Sequence, residues 1–421
     1  MNITEYDNPL VRKKANKSKL ENVTTVALVV FLSGGISSLA FVNTFLSALS
    51  ILFLIYVATK YKARFLYFLT LDKILLLLLL TAFLSIFWSE VPQNTLEALV
   101  YITRVTGFGV YFAMRYNFRE QIKLLAWSFL VIVILSFLVG AIDSNPNRAF
   151  RVTNWMAGFP HKNYFGRNMA MYGSTFLVIL LSEKTKKSRK YIWIFSIAIS
   201  MIMVIFSGSV NSLVHISFSF LVLIPTCYLL RSKYEIKVPT LWFLILPSVL
   251  SLNWFLTEYE NIAVEVLDRQ HSFGGRDTLK QVLLERFIWQ KPILGHGISG
   301  FWNHESNFIS VSNAIDLIQA HRGQPWVPTH AHSGFIDLML SLGVVGLILF
   351  FISFLVAYFN SILLVSRSQT AVGFWPFIFL TLFFLSNINV NSTILAAREL
   401  YWALYVSTTI SLKIWPKRDI T

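Results

Sequence analysis

Two histidines, His330 and His332, stand where a Pro-containing loop runs into an apolar helix, in PTHAHSGFIDLMLSLGVVG (328–346). A neutral imidazole is the natural general base near pH 7. In an extended loop the two rings face one way across Ala331. Two other readings stand beside a catalytic base. One is a metal site completed by His304, Glu305 or His321; the other is a histidine capping the helix through hydrogen bonds. No ligand cluster at helical i, i+4 spacing accompanies the pair, so metal is the weaker reading and none is assigned.

Cations inside apolar runs come next, because charge is costly there and marks function by default. Arg104 lies in the middle of an apolar run, too deep to reach water easily, and is expected to face the interior and meet an anion or a carboxylate. Arg167 opens another run three residues after Tyr164; it either snorkels to the interface or binds an anion. Arg398 and Glu399 open the last run, as a local ion pair or as pocket groups. Gly274-Gly275-Arg276-Asp277 opens an amphipathic stretch. A helix start favours anions, and an arginine adds a planar fork for phosphate oxygens. The alternative there is a solvated helix start capped by Asp277. The Gly-rich stretch KPILGHGISGF (291–301) permits close backbone approach.

These groups need elements that hold them at a water–hydrocarbon boundary, and the composition supplies them. The chain has 421 residues, 55% hydrophobic and 14% charged, with a mean hydropathy of +0.60. Apolar runs long enough to cross ~30 Å of hydrocarbon recur from end to end. The expectation is an all-α polytopic membrane protein; short alternating strands of a β-barrel are not the pattern. About twelve spans are read: 24–43, 44–59, 72–88, 95–114, 122–142, 165–182, 191–207, 209–230, 240–256, 333–358, 373–388 and 396–412.

The net charge of +15 does not point to nucleic acid, because most Lys and Arg fall in short loops between apolar runs. They cluster in Arg12 to Lys19, Lys60 to Arg64, Arg115 to Lys123, Lys184 to Lys190 and Arg231 to Lys237. By the positive-inside rule both termini face the cytoplasm. The N-terminal stretch reads as a cytoplasmic tail and not a signal peptide. Residues 257–332 then form one long extracytoplasmic loop, inserted between spans nine and ten of a single membrane domain covering 1–421. Within it, 277–290 is broadly helical and amphipathic, suited to the membrane interface. Cys227, the single cysteine, reads as a buried, inert thiol.

Several arginines, a candidate base and a long outer loop suit a polyanionic substrate with a lipid tail, such as a prenyl-diphosphate-linked sugar. A transporter would show paired repeats or helices broken at the midplane, and neither is evident in the sequence; a non-catalytic scaffold is the third class.

Several blocks resemble the O-antigen ligase and polysaccharide-polymerase family of bacterial membrane glycosyltransferases. His332-Ser333, nine residues and then Gly343-Val344-Val345-Gly346 is similar to the ligase pattern, with Leu347 and Ile348 where that pattern often has two threonines. LSIFWSEVPQNTL (84–96), FPHKNYFG (159–166) and GGRDTL…W…PILGHG (274–297) resemble further family blocks. SGSVNS (207–212) does too, with Val210 in place of a basic residue. The order of the blocks looks closest to polymerases of exopolysaccharide repeats.

The resemblance implies a C-type glycosyltransferase fold in the bacterial inner membrane. It implies glycosyl transfer from an undecaprenyl-diphosphate-linked oligosaccharide to an acceptor glycan or lipid A-core, with no cofactor, metal or nucleotide sugar. His332 would deprotonate or orient the acceptor hydroxyl. Arg276, with Arg104 and Arg167, would bind the diphosphate and stabilise its developing charge. Asn163 and His330 would contact substrate. A flippase and a chain-length regulator are the implied protein partners.

Overall fold

The structure, a computed structural model, describes residues 18–35, 40–142, 155–182, 187–231, 279–305, 307, 309–311, 330–389, 393–396 and 399–414. Among these residues the regular structure is entirely helical. The long helices are α1 (Lys19–Leu32), α2 (Ala40–Lys60), α3 (Lys62–Thr70), α4 (Lys73–Leu84), α5 (Pro92–Arg115), α6 (Phe118–Ile142) and α7 (Lys162–Ser182). They are followed by α8 (Lys187–Phe206), α9 (Val210–Arg231, with a π turn at Ser219–Leu223), α10 (Gly334–Arg367), α11 (Trp375–Asn389) and α12 (Leu400–Ile414).

Local chemistry sets the starts. Ser18 caps α1 by accepting from the Glu21 N–H, and Asp72 caps α4 by accepting from the N–H groups of Ile74 and Leu75. Pro92 begins α5, where its missing N–H costs no helical bond. Packing then pairs helices both adjacent and distant in sequence. α12 lies along α5, α7 along α8 and α9, α10 along α4 and α11, and α1 along α6. The centre is aromatic, with Phe350, Phe383, Trp402 and Tyr405 buried together. Large apolar side chains such as Phe41, Leu52, Ile134, Phe195 and Ile348 stay exposed on outward faces, as in a protein solvated by lipid.

Six helices among the described residues are long and apolar enough to cross a membrane. They are Phe41–Lys60, Phe118–Gly140, Arg189–Phe206, Val210–Arg231, Gly334–Arg367 and Ala371–Ile388, each overlapping an expected span. The bent pair α3–α4, turned by 97°, makes a seventh if counted as one span. The count of twelve is therefore not reproduced, for physical reasons. The run 24–43 is interrupted: α1 has 14 residues and ends in a turn with Gly34 at φ +76°. α12 has 15 residues, about 22 Å of helix, short of ~30 Å of hydrocarbon. α5 and α7 are long enough, at 24 and 21 residues, but carry Arg104 in one and Asn163, Arg167 and Asn168 in the other. The run 240–256 lies outside the described residues, as do the N-terminal tail to residue 17 and most of 257–332. Cys227 is fully buried on α9, as expected.

The sequence shows no broken helix, yet α10 is broken. Its backbone leaves helical geometry at Gly343, at φ 64°, ψ −162°. The described part of the outer segment folds against this break. Its amphipathic stretch is helical from Leu279, through a π turn at Leu283–Phe287 and a 3-10 turn at Ile288–Gln290. Leu279, Val282, Leu283 and Phe287 pack with Phe301, Val311, Ala331 and Leu340 in a small core of their own, while Leu284 and Trp289 point outward.

Candidate active site

The break in α10 is filled by the PILGHG turn. The N–H groups of Val344 and Val345 donate to the carbonyls of Pro292 (2.8 Å) and Ile293 (3.3 Å), and those of His296 and Gly297 donate to Leu340 (2.7 Å) and Ser341 (3.0 Å). Backbone groups freed by a break inside an apolar protein must find partners, and this turn supplies them. A Cβ on Gly343 would stand 2.2 Å from the Ile293 carbonyl oxygen, and one on Gly295 would stand 2.5 Å from the Ser341 carbonyl carbon. Both residues also have positive φ. Only glycine fits at either place.

A second staple joins this turn to the start of α5. Trp88 Nε1 donates to Leu294 O (2.9 Å), Thr95 Oγ1 to Ile298 O (2.7 Å), and Ile298 N to Ser85 Oγ (3.1 Å). Glu90 binds His296 Nδ1 (2.9 Å), Lys291 Nζ (2.8 Å) and Asn307 Nδ2 (2.6 Å). Burial alone would raise the Glu90 carboxyl; the three donors override it and hold it down to about 2. Two of the sequence blocks, 84–96 and 291–297, are thus one structural unit.

That unit sets the start of α10 and with it the histidines. The Asp337 carboxylate reaches back to accept from the Ala331 N–H (3.0 Å) and from Trp302 Nε1 (2.8 Å). Ser333 takes the N-cap position without a capping side-chain bond, so Asp337 holds the His330–His332 loop. The two imidazoles touch with centroids 4.1 Å apart and planes tilted by 49°, and His332 has φ 53°. A non-glycine residue in this region is uncommon and is held by its surroundings.

Beside these elements lies a cavity of about 970 Å³. Arg104, Arg167, Glu399, Tyr164, Tyr101 and His330 are on its walls. Arg104, buried on α5, donates to Ser47 Oγ (2.7 Å) and lies over the rings of Tyr101 and Phe31. Arg167, 2% exposed, contacts Glu399 at 2.7 Å through Nη2 and lies between the rings of Tyr164 (4.8 Å) and Tyr401 (4.4 Å). Its Nε and Nη1, and Glu399 Oε1, have no hydrogen-bond partner among the described residues. A buried guanidinium with unused donors on a cavity wall is equipped to take an anion.

Of the residues singled out in the sequence, the fold brings Arg104, Arg167 and His330 to one cavity. His332 lies against the His330 ring and does not line it. Asn163 is buried in the first turn of α7, its N–H donating to His161 Nδ1 (3.1 Å), and lines neither this cavity nor the smaller one beside it. Arg276 and Arg398 lie outside the described residues. Arg167 is buried and does not snorkel, and Glu399 is a pocket group paired with Arg167. Among the described residues no group of three His, Cys, Asp or Glu is placed to hold a metal ion.

Sequence reasoning passed over Asp337, Trp302, Tyr164 and Tyr401. Asp337 carried a usable signal: a lone carboxylate one turn into an apolar run, the criterion that had picked Arg104. The aromatics carried none, being three among 65 Phe, Tyr and Trp residues.

No curated protein matches the chain. Residues 166–351 match the family model described as O-Antigen ligase. This stretch includes Arg167, the PILGHG turn, both histidines and the break at Gly343, and over it the chain is similar to the O-antigen ligase family.

Proposed function

We propose that the protein transfers a glycan from an undecaprenyl-diphosphate-linked oligosaccharide to an acceptor hydroxyl at the outer face of the bacterial inner membrane, polymerising repeats of a surface polysaccharide. The observation that carries this reading is the single cavity on which Arg104, Arg167 and His330, from separate parts of the chain, converge. The similarity over residues 166–351 suggests an enzyme of surface-polysaccharide synthesis, of ligase or polymerase type.

In this reading Arg104 and Arg167 bind the diphosphate, joined by Arg276 from the outer segment 257–332. The acceptor oxygen attacks the anomeric carbon with inversion, the bond to the diphosphate oxygen breaks, and undecaprenyl diphosphate leaves. The acceptor proton passes to the His330–His332 pair, with His332 as base or as the ring that orients His330, and Asn163 supports the substrate side from α7. Diphosphate is already a good leaving group, so orientation and charge neutralisation carry the rate. No metal is required in this scheme, because guanidinium groups do the neutralising.

Both termini are assigned to the cytoplasm, the chain to one membrane domain, and the outer segment to the periplasm. A flippase would deliver the donor and a chain-length regulator would set the product size.

The family description favours a second reading, an O-antigen ligase with lipid A-core as acceptor. The test is glycan analysis of a deletion strain complemented with wild type, His332→Ala, Arg276→Ala or Arg104→Gln at matched membrane levels. A polymerase leaves single repeats on the carrier in the variants. A ligase leaves long polymer unattached to core. Full activity in all three variants would reject the site.

A further inference from the structure

A smaller cavity of about 330 Å³ adjoins the first. Tyr164, His330 and Ala396 line both, so they stand between the two. The chemistry on the two sides differs. The larger cavity carries two arginines; the smaller carries Asp337 and Trp302, with no Lys or Arg among the described residues on its walls.

Asp337 is 7% exposed. Its Oδ1 accepts both hydrogen bonds that fix the loop, from Ala331 N and Trp302 Nε1, and its Oδ2 has no hydrogen-bond partner among the described residues. A buried polar oxygen left without a partner is costly, so a carboxylate oxygen kept free on a cavity wall points to a donor that arrives with a ligand. Two further residues on these walls, Ser299 and Leu395, are held at φ 57° and 51°. Such backbone strain in non-glycine residues gathers at ligand sites.

We propose that the smaller cavity is the acceptor subsite, taking a sugar ring, and that Asp337 Oδ2 binds an acceptor hydroxyl next to the one that reacts. This inference rests on the glycosyl-transfer reading. A hydroxyl donating to a carboxylate makes a short, charge-assisted bond, roughly twice as strong as a neutral one. The Trp302 indole, fixed by its N–H on the same carboxylate, gives the apolar wall that a ring's C–H face needs. The volume is at the low end of the ~300–1,000 Å³ usual for small-ligand sites, the scale of a ring and not of a chain. The sign of charge then sorts the substrates. A diphosphate is attracted to the arginine side and repelled by Asp337, while a neutral sugar loses nothing beside the carboxylate. His330 stands between the two, where a proton must be handled.

Asp337→Asn separates substrate contact from loop positioning, because the amide oxygen still accepts from Ala331 and Trp302 while Oδ2 becomes an NH₂ donor. Ala98→Leu is the second variant, since Ala98 lines only the smaller cavity. The full chain, purified in lipid nanodiscs, would be assayed for binding of undecaprenyl diphosphate, and the same variants for polymer in the complemented deletion strain. The expected result is wild-type binding of undecaprenyl diphosphate with polymer reduced roughly tenfold or more, the size of one lost hydrogen bond to a charged group. Full polymer in both variants overturns the acceptor subsite. So does weakened undecaprenyl diphosphate binding in Asp337→Asn, which would make the residue a structural or donor-side group. If Asp337→Asn does not fold, Ala98→Leu decides alone by the same criteria. Arg104→Gln identifies failure of the underlying reading: unchanged undecaprenyl diphosphate binding and polymer there would overturn glycosyl transfer at this site and the subsite with it.

Discussion

Arg115–Glu21 and Arg167–Glu399 are the same chemical pair in two settings. At the end of α5, Arg115 grips Glu21 with two bonds, Nε to Oε1 (2.6 Å) and Nη2 to Oε2 (2.7 Å). Tyr111 adds a third donor to the same carboxylate, and Thr25 links Tyr111 to Tyr116. Arg167 touches Glu399 through one nitrogen, leaves two nitrogens and one carboxylate oxygen without hydrogen-bond partners among the described residues, and fronts the large cavity. The first pair is closed on itself and binds α1 to α5. The second is held open, with aromatic faces to fix the guanidinium while its donors stay available. A buried ion pair that satisfies itself is structural; one kept incomplete beside a cavity is prepared for a ligand.

The strongest way to break this contrast is to remove each arginine. Arg167→Gln should lower polymer synthesis by on the order of 10²–10³-fold, the scale of a lost transition-state donor. The double variant Arg167→Met/Glu399→Leu should recover thermal stability in detergent without recovering synthesis. An active double variant would make the open pair as structural as the closed one. Arg115→Met should instead cost about 3–5 kcal/mol of stability by stranding Glu21, read as a lower unfolding midpoint, with synthesis per folded molecule unchanged. Adding Glu21→Leu should restore most of that stability.

A smaller effect sharpens the account of what holds the site in place. Gly343→Ala forces a Cβ toward the Ile293 carbonyl at a positive φ. It should cost more than about 1 kcal/mol and expose residues 291–300 to protease, because the turn and the break close on each other.

The smallest effect concerns pH. Glu90 is held at about 2, below its ordinary 4.5. A lowered carboxyl stabilises the fold fully above the ordinary value and loses that contribution as pH falls through about 2. Hydrogen-exchange protection of the 291–307 segment should therefore decline between those values in the wild type. In Glu90→Gln it should be lower at neutral pH and flat across that window.

Several features were legible before any coordinates. The helical membrane class follows from the apolar runs, since run length and hydropathy are properties of consecutive residues. Arg104 and Arg167 stood out because charge among apolar neighbours is visible along the chain. The blocks 84–96, 274–297 and 332–346 were visible as patterns, but not as one unit, because nothing in a linear string says that PILGHG fills a gap in the helix after His332. At α1, α5, α7 and α12 the expected spans do not become helices both long and apolar enough to cross on those grounds alone, because apolar content does not report where a helix stops, or which polar residues a neighbour will shelter.

By itself, the amino-acid order determined that this protein is helical and membrane-bound, that cations sit within or at the ends of its apolar runs with a histidine pair opening one of them, and that glycine recurs where the backbone bends. Tertiary structure alone decided that Arg167 meets Glu399 across 232 residues, that His330 and not His332 faces both cavities, and that Asp337 keeps one oxygen without a hydrogen-bond partner among the described residues. Local propensity acts over a few residues, whereas pairing, burial and the enclosure of a cavity depend on which distant helices pack together. The chemistry was therefore written in residue types, and its geometry only in the packing.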